Sequence, residues 1–184
     1  MEMSGKFRDV IRTGNKLIED RGWRSNSINK DFGEFLAAVL KKGKDGITNW
    51  EFYIGIGKTS IDDITKRTET FKENIISFFG KPTTPYEDGK GNWAWAKKIT
   101  PEMIVYLAPD STSSNTITNK LRIVVNFELS EPDSSTRELT EFSLLAKTET
   151  GIFLMNYATH GTITKSNSVT LDRIVELTFP LNGS

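Results

Sequence analysis

Apolar residues recur with helical spacing in the first quarter of the chain. In the segment 4–22 they fall on one helical face, and the segment 31–46 repeats the pattern, with Asp31 and Glu34 placed as a capping box. The two segments predict a pair of amphipathic helices, which would form an N-terminal helical arm over residues 1–44. The apolar stripe of the first helix and the tryptophan after it form a candidate interface, because the arm cannot bury them alone. These residues are Phe7, Val10, Ile11, Leu17, Ile18 and Trp23.

After residue 46 the pattern becomes typical of β-strands. Aromatic and β-branched residues come first, and from residue 120 onward polar and apolar residues alternate. The predicted strands are 49–57, 92–99, 102–109, 121–129, 138–146, 151–158 and 169–181. Strands joined by turns, without helices between them, predict a mainly β fold. We therefore expect an antiparallel β-sandwich over residues 45–184, and an α+β protein overall once the pair of helices is added.

Two segments of this region give no clear hydrophobic period, and a third segment is expected to form a turn. The segment 60–79 combines helical spacing with alternation, so we leave it irregular, with room for a short helix. The polar segment 159–168, which contains His160, is expected to be a loop. Between two apolar runs, the stretch KTETG ends in Gly151, whose permissive backbone suits a tight hairpin. Four side chains should pair across that hairpin toward the core, namely Phe142, Leu144, Ile152 and Leu154.

Composition removes several classes of function. Lys and Arg number 24 and Asp and Glu number 24, so no net charge draws the chain to nucleic acid. The absence of cysteine excludes disulfides, cysteine-bound zinc, iron–sulfur clusters and cysteine nucleophiles. The N-terminus has no apolar signal region and no apolar run is long enough for a bilayer. We expect synthesis in the cytoplasm without a Sec signal and no direct insertion into a membrane.

The candidate catalytic motifs are weak. The stretch GIGKTS at 55–60 follows a predicted strand, but a phosphate-binding loop needs a glycine five positions before Gly57, where Phe52 stands. We interpret it as a strand end with closely packed glycines. His160 is the single histidine, no GxSxG element accompanies it, and Asp62 and Asp63 are adjacent and would point apart. We expect no enzymatic activity, no cofactor and no metal.

Two tryptophans support an alternative function. Trp93 and Trp95 alternate on one predicted strand, so their rings would stand on the same face. Such a pair serves either in a core or protein interface, or as a platform for sugar rings. The alternative is therefore a stand-alone β-sandwich that binds a carbohydrate or a receptor, with a cell-surface glycan as its ligand.

An ordered set of short motifs follows Trp50. A strand ends in FYIGIG at 52–57, and LRIVVNFEL precedes a polar turn. An acidic residue, Glu141, leads the apolar run LTEFSLL, and the strand TGIFLMNYA comes next. Lys165 and the closing strand VTLDRIVELTFPL complete the order. In this order the chain resembles tail proteins of bacteriophages and of related contractile injection systems. It departs from their pattern at Ser143, where a glycine is usual, and by the missing proline before Lys165.

The resemblance implies a structural protein and not an enzyme. It points to a baseplate component, a tail-end protein or the attachment domain of a tail fibre, assembled into a virion or an injection particle. The expected partners are other subunits of such a particle, in a homo-oligomer or symmetric ring. Glu141 would then have a structural role, and we expect its carboxylate to accept backbone N–H groups at the start of its strand.

Overall fold

The structure is a computed structural model that describes residues 3–42, 50–82 and 84–179. The boundary predicted between residues 44 and 45 lies outside the described residues. The strands of the first half are β1 (Ser4–Thr13), β2 (Lys16–Asp20), β3 (Arg24–Ile28), β4 (Glu51–Lys58), β5 (Tyr86–Glu87), β6 (Trp93–Lys98) and β7 (Ile104–Leu107). Those of the second half are β8 (Ser113–Ser114), β9 (Lys120–Phe127), β10 (Arg137–Thr148), β11 (Gly151–Leu154), β12 (Asn156–Lys165) and β13 (Thr170–Thr178). The two α-helices are α1 (Lys30–Lys42) and α2 (Ile64–Gly80).

The strands form one antiparallel sheet that curls into a half-barrel. Their order is β5-β6-β4-β10-β12-β3-β1-β13-β9-β7-β8, with β11 added to β10 and β2 added to β1. The prediction of a mainly β, antiparallel fold is confirmed. A sandwich of two sheets is not confirmed, because the described strands are hydrogen-bonded into one continuous path.

The first predicted helix is wrong, since residues 4–20 form the hairpin β1–β2. β1 pairs with β13 from Ser4 to Arg12 and with β3 at its start, so tertiary pairing decides its conformation. Phe7 and Ile11 satisfy helical spacing, but they are also two strand positions on either side of Asp9, and all three side chains are buried. Gly14 turns the chain with a φ of +54°. The second predicted helix is confirmed as α1.

The segment left irregular is the helix α2. Asp63 caps its N-terminus, where the carboxylate accepts the backbone N–H of Lys66 at 2.9 Å. The apolar face of α2 packs on the outer face of the sheet through Phe71, Ile75 and Phe78. The predicted loop at 159–168 is also corrected, because most of it belongs to β12.

The predicted hairpin around Gly151 is confirmed as β10–β11. Its turn is tighter than expected, with Thr148 paired to Gly151 and only Glu149 and Thr150 between them. The register differs from the prediction, because Leu154 lies opposite Leu145. The inner face of the half-barrel holds the main core, to which β1, β4, β9, β10, β12 and β13 all contribute.

Candidate functional site

Part of the predicted interface is exposed on the hairpin formed by residues 10–20. From here on, the arm means this hairpin and not the helical arm that was predicted over residues 1–44. Leu17 is 49% exposed, Ile18 54% and Trp23, just beyond the arm, 39%. The ammonium of Lys6 lies over the Trp23 ring at 4.3 Å from its centroid, which fixes the ring at the surface. The other three predicted interface residues, Phe7, Val10 and Ile11, are buried in the fold. The structure therefore divides the predicted interface into a core part and a surface part.

The arm is held firmly but has a free outer edge. All five residues of β2 are exposed, and its second edge pairs with no other described strand. A β-bulge at Ile18 breaks the register with β1. Because a bulge twists an edge away from further strand pairing, the arm is suited to contacts through its side chains. Arg8 braces the base of the arm through a bidentate pair with Asp20, and this hydrogen bonding lowers the pKa of Asp20 to about 2.

A second feature is a polar cleft where the sheet divides. β3 and β12 pair at only two positions, Ile28 with Asn156 and Ser27 with Tyr157, and then separate. A cavity of about 310 Å³ opens there. Five residues that carry hydroxyl groups are in its lining, namely Ser25, Ser27, Thr68, Tyr157 and Thr159. An adjoining cavity of about 620 Å³ runs between α1 and α2 and shares Ile28, Asn29 and Thr68 with the first. We call the two cavities together the cleft.

Glu141 lies beside the floor of the cleft in a buried hydrogen-bond network. Its Oε2 accepts the Nε–H of Arg67 at 3.0 Å and the hydroxyl of Tyr157, while Arg67 also donates to the Thr140 hydroxyl at 2.9 Å. The expected backbone N–H partners are wrong, since among the described contacts Glu141 is bonded by side chains. Burial and the adjacent Glu141 carboxylate raise the pKa of Tyr157. The phenol therefore stays protonated at neutral pH and acts as a hydrogen-bond donor, not as a nucleophile.

His160 lies in a second charged network, on the inner face of the sheet, and not in a solvated loop. Its Nε2 is 2.9 Å from Nη2 of Arg173, whose Nε–H donates to Asp9 at 2.6 Å. Arg24 completes the network by donating to the other oxygen of Asp9 at 2.7 Å. Burial and the positive charge of Arg173 lower the pKa of His160 to about 3. Such an imidazole is a weak base, so the geometry favours a structural role over acid–base catalysis.

The tryptophan pair does not form a solvent-facing platform. Trp93 is buried, and its Nε1–H donates to the backbone oxygen of Glu138 at 3.2 Å. Trp95 is partly buried and contacts the Phe127 ring at a centroid distance of 6.2 Å. Both rings therefore pack in the fold. A more apolar cavity of about 590 Å³ lies elsewhere, with the exposed Trp50 and Tyr106 in its lining.

The glycines of GIGKTS serve packing, as the strand-end interpretation predicted. β4 ends at Lys58 and α2 begins only at Ile64, so no helix opens at the lysine. A Cβ at Gly57 would lie 2.4 Å from the backbone oxygen of Trp93. Within the described ranges, no three His, Asp or Glu side chains are grouped as metal ligands. No helix in the described part of the chain is long and apolar enough to cross a membrane.

Comparison with known proteins adds no relative. No protein-family model matches the chain, and neither the curated proteins nor the solved structures give a match. Arg67, Tyr157, Asp9 and Arg173 were not singled out by the sequence. For Asp9 and Arg173 a signal was present, because each is a charged residue at an inward position between two apolar ones in its strand.

Proposed function

We propose that the chain is a non-enzymatic structural component of a particle of the bacteriophage-tail or contractile-injection kind, and that it acts through protein–protein contacts. The observation that carries this proposal is the arm, with its free edge and the exposed side chains of Leu17 and Ile18. Adjacent exposed aliphatic side chains on a braced projection are more typical of an interface than of a monomer surface. The ordered motifs after Trp50 support the kind of particle.

The two charged networks support a structural role as well. Tyr157 is a protonated donor and His160 is a weak base, so neither side chain is prepared for catalysis. The carbohydrate-binding alternative has less support, because it depended on an exposed pair and Trp93 is buried. A gene neighbourhood containing sheath, tube and baseplate proteins would support the particle assignment directly.

A matched pair of substitutions tests the proposal. Ile18→Lys places a charge on the arm, and Ile76→Lys places the same charge on the exposed side of α2, where the isoleucine is 50% exposed. We expect the wild-type chain and Ile76→Lys to form the same oligomer, and Ile18→Lys to remain monomeric with an unchanged circular dichroism spectrum. Size-exclusion chromatography with light scattering measures the mass. A wild-type monomer across the accessible concentration range, or an Ile18→Lys variant that assembles normally, would contradict the proposal.

A further inference from the structure

The tip of the arm and the cleft are complementary to each other. We propose that the arm tip, residues 12–18, of one copy occupies the cleft of a second copy of this chain, in a head-to-tail contact. This inference rests on the proposed function, because it names the partner surface for the arm. Three observations indicate this occupant: the reach of the chain, the charges of the two surfaces, and the residues that line the cleft.

The reach of the chain excludes an intramolecular contact. Lys6 pairs with Ser25, which lines the cleft, whereas the tip begins at Arg12, about 20 Å further along β1 at strand spacing. β1 cannot fold back over that distance, because it is paired to β13 from Ser4 to Arg12. The arm that fills a cleft must therefore come from a different copy.

The charges of the two surfaces are opposite. In the lining of the cleft, Asp31 pairs with Lys72, which leaves Glu34, Glu69 and Lys30, a net charge of −1. Neither Glu34 nor Glu69 has an ion-pair partner within the described residues. On the arm, Lys16 is exposed and likewise lacks such a partner in the described part of the chain. Placing Lys16 against Glu69 would pair two charges that are unpaired in the isolated chain.

The lining also fits the conformation of the tip. At the tip, Gly14 and Asn15 form an exposed turn whose peptide groups are available to new partners. The hydroxyl group of Ser25 can donate to and accept from such peptide groups. The Thr68 hydroxyl donates to the backbone oxygen of Ile64 and can still accept, and Asn29, whose Oδ1 accepts the N–H of Asp31, can still donate from its NH₂ group. At the mouth of the cleft Ile64 is 57% exposed, and it gives Leu17 and Ile18 an apolar surface to cover.

A contact between two different surfaces closes as a two-fold dimer only when the two copies exchange arms reciprocally, and a head-to-tail contact does not close in this way. Repeated head-to-tail, it produces a ring when the rotation closes and a filament when it does not. The head-to-tail contact therefore predicts a cyclic or open oligomer. It excludes both a dimer in which the two arms pair with each other and a dimer with reciprocally exchanged arms.

The absence of native cysteine gives a clean cross-linking test. Asn15→Cys marks the arm tip and Thr65→Cys marks the cleft, and both positions are exposed. We expect an oxidant to give dimers in a mixture of the two variants, a ladder when both cysteines are in one chain, and no product from either variant alone. Asn15→Cys mixed with Thr116→Cys, an exposed site elsewhere, is the control and should give no product.

The outcomes separate the two proposals. Cross-linking of Asn15→Cys with itself would overturn the inference in favour of arms that pair with each other. A cross-link that forms no more readily with Thr65→Cys than with Thr116→Cys, in a chain that still forms oligomers, would overturn the inference and leave the proposed function standing. A chain that never forms oligomers would overturn both.

A charge exchange tests the same contact without cysteines. Lys16→Glu should weaken assembly by about fivefold or more, since it replaces an attraction by a repulsion. Adding Glu69→Lys in the same chain should restore it. If the double variant assembled no better than Lys16→Glu alone, Lys16 and Glu69 would not face each other.

Discussion

The outer face of the sheet has two halves that differ in what covers them. Over β4, β6 and β10, α2 covers the sheet, and we call this the covered half. Over β1, β9 and β13 no described element covers the outer face, and we call this the bare half. The covered half presents small residues where the helix approaches. These are Gly55, Gly57, Ala94 and Ala96.

The bare half is instead faced with ion pairs that cross the strands. Glu176 of β13 binds Lys6 of β1 at 2.7 Å and Arg122 of β9 at 2.6 Å. Further along, Asp172 lies 3.7 Å from Arg12 and accepts the side chain of Asn126 at 2.7 Å. Charges in this arrangement keep the face wet and discourage stacking on another sheet.

The difference indicates where assembly contacts can form. The covered half has already buried its apolar surface beneath α2. On the bare half, Val124 is 39% exposed beside Ile174, and this apolar pair lies between the Arg122–Glu176 and Asn126–Asp172 pairs. The arm, attached to β1, exposes two aliphatic side chains that are consecutive in sequence, Leu17 and Ile18, on a projecting edge. This division supports contacts that are made by the arm and not by a face of the sheet.

The largest loss of stability should come from placing a side chain at Gly57, where α2 packs closely on the sheet. In Gly57→Ala the new methyl group would meet the backbone oxygen of Trp93 at 2.4 Å and the Phe71 ring at 3.2 Å, and backbone cannot yield easily. We expect the free energy of unfolding to fall by about 3 kcal/mol or more, measured by urea denaturation.

Gly80→Ala, at the end of the same helix, is the matched control. No atom lies within 4 Å of its Cβ position, so stability should be unchanged or should rise by up to about 1 kcal/mol. Equal stability of the two variants would show that α2 does not depend on the small residues beneath it.

The second prediction compares a carboxylate from each half. Glu141→Gln should lower the free energy of unfolding by about 2 to 3 kcal/mol, because the Arg67 guanidinium loses its charged partner in a buried network. Asp172→Asn on the bare half should cost less than about 1 kcal/mol, since its pair with Arg12 is exposed to solvent. Denaturant titrations of both variants in the same buffer give the difference. Similar losses of stability in the two variants would mean that burial beneath α2 does not strengthen the ion pair between Glu141 and Arg67.

The two halves also explain what the sequence could predict. On the bare half, alternation in β9 and β13 was visible because one face is wet and the other is core. β1 was mistaken for a helix because Asp9, a buried charge, stands where an apolar residue would have revealed the period of two. The part of β12 after Ala158 was mistaken for a loop for the same reason, since His160 and Lys165 are two of its inward residues. Local pattern cannot detect a polar core whose partners lie in distant strands.

On the covered half, the strands β4 and β6 were predicted, but the helix above them was not. The positions of α2 that face the sheet include the polar Asn74, and its exposed face carries Ile64 and Ile76, so the amphipathic pattern is weak. Glu141 was singled out by its place before an apolar run. Its partners could not be predicted, because Arg67 is 74 residues away and reaches it only after α2 has docked.

On the inner face, the bare half buries a charged network among its apolar side chains. Beneath β1 and β13, His160 is partly buried beside Arg173, with Asp9 and Arg24 completing the network. Its pKa of about 3 lies below the usual value near 6.5. Below pH 6.5, His160 therefore binds a proton in the unfolded chain but stays neutral in the folded chain. The stabilising contribution is complete above pH 6.5 and is lost as the pH falls toward 3.

We therefore expect the free energy of unfolding to be about 2 kcal/mol smaller at pH 5 than at pH 7, with most of this difference absent in His160→Gln. Because the chain has a single histidine, its ring resonance in a proton NMR spectrum can be assigned without ambiguity. That resonance should keep the shift of a neutral imidazole from pH 8 to pH 5. A midpoint near pH 6.5 would mean that the ring is solvated, and the inner face of the bare half would then be open to water where the covered half is closed.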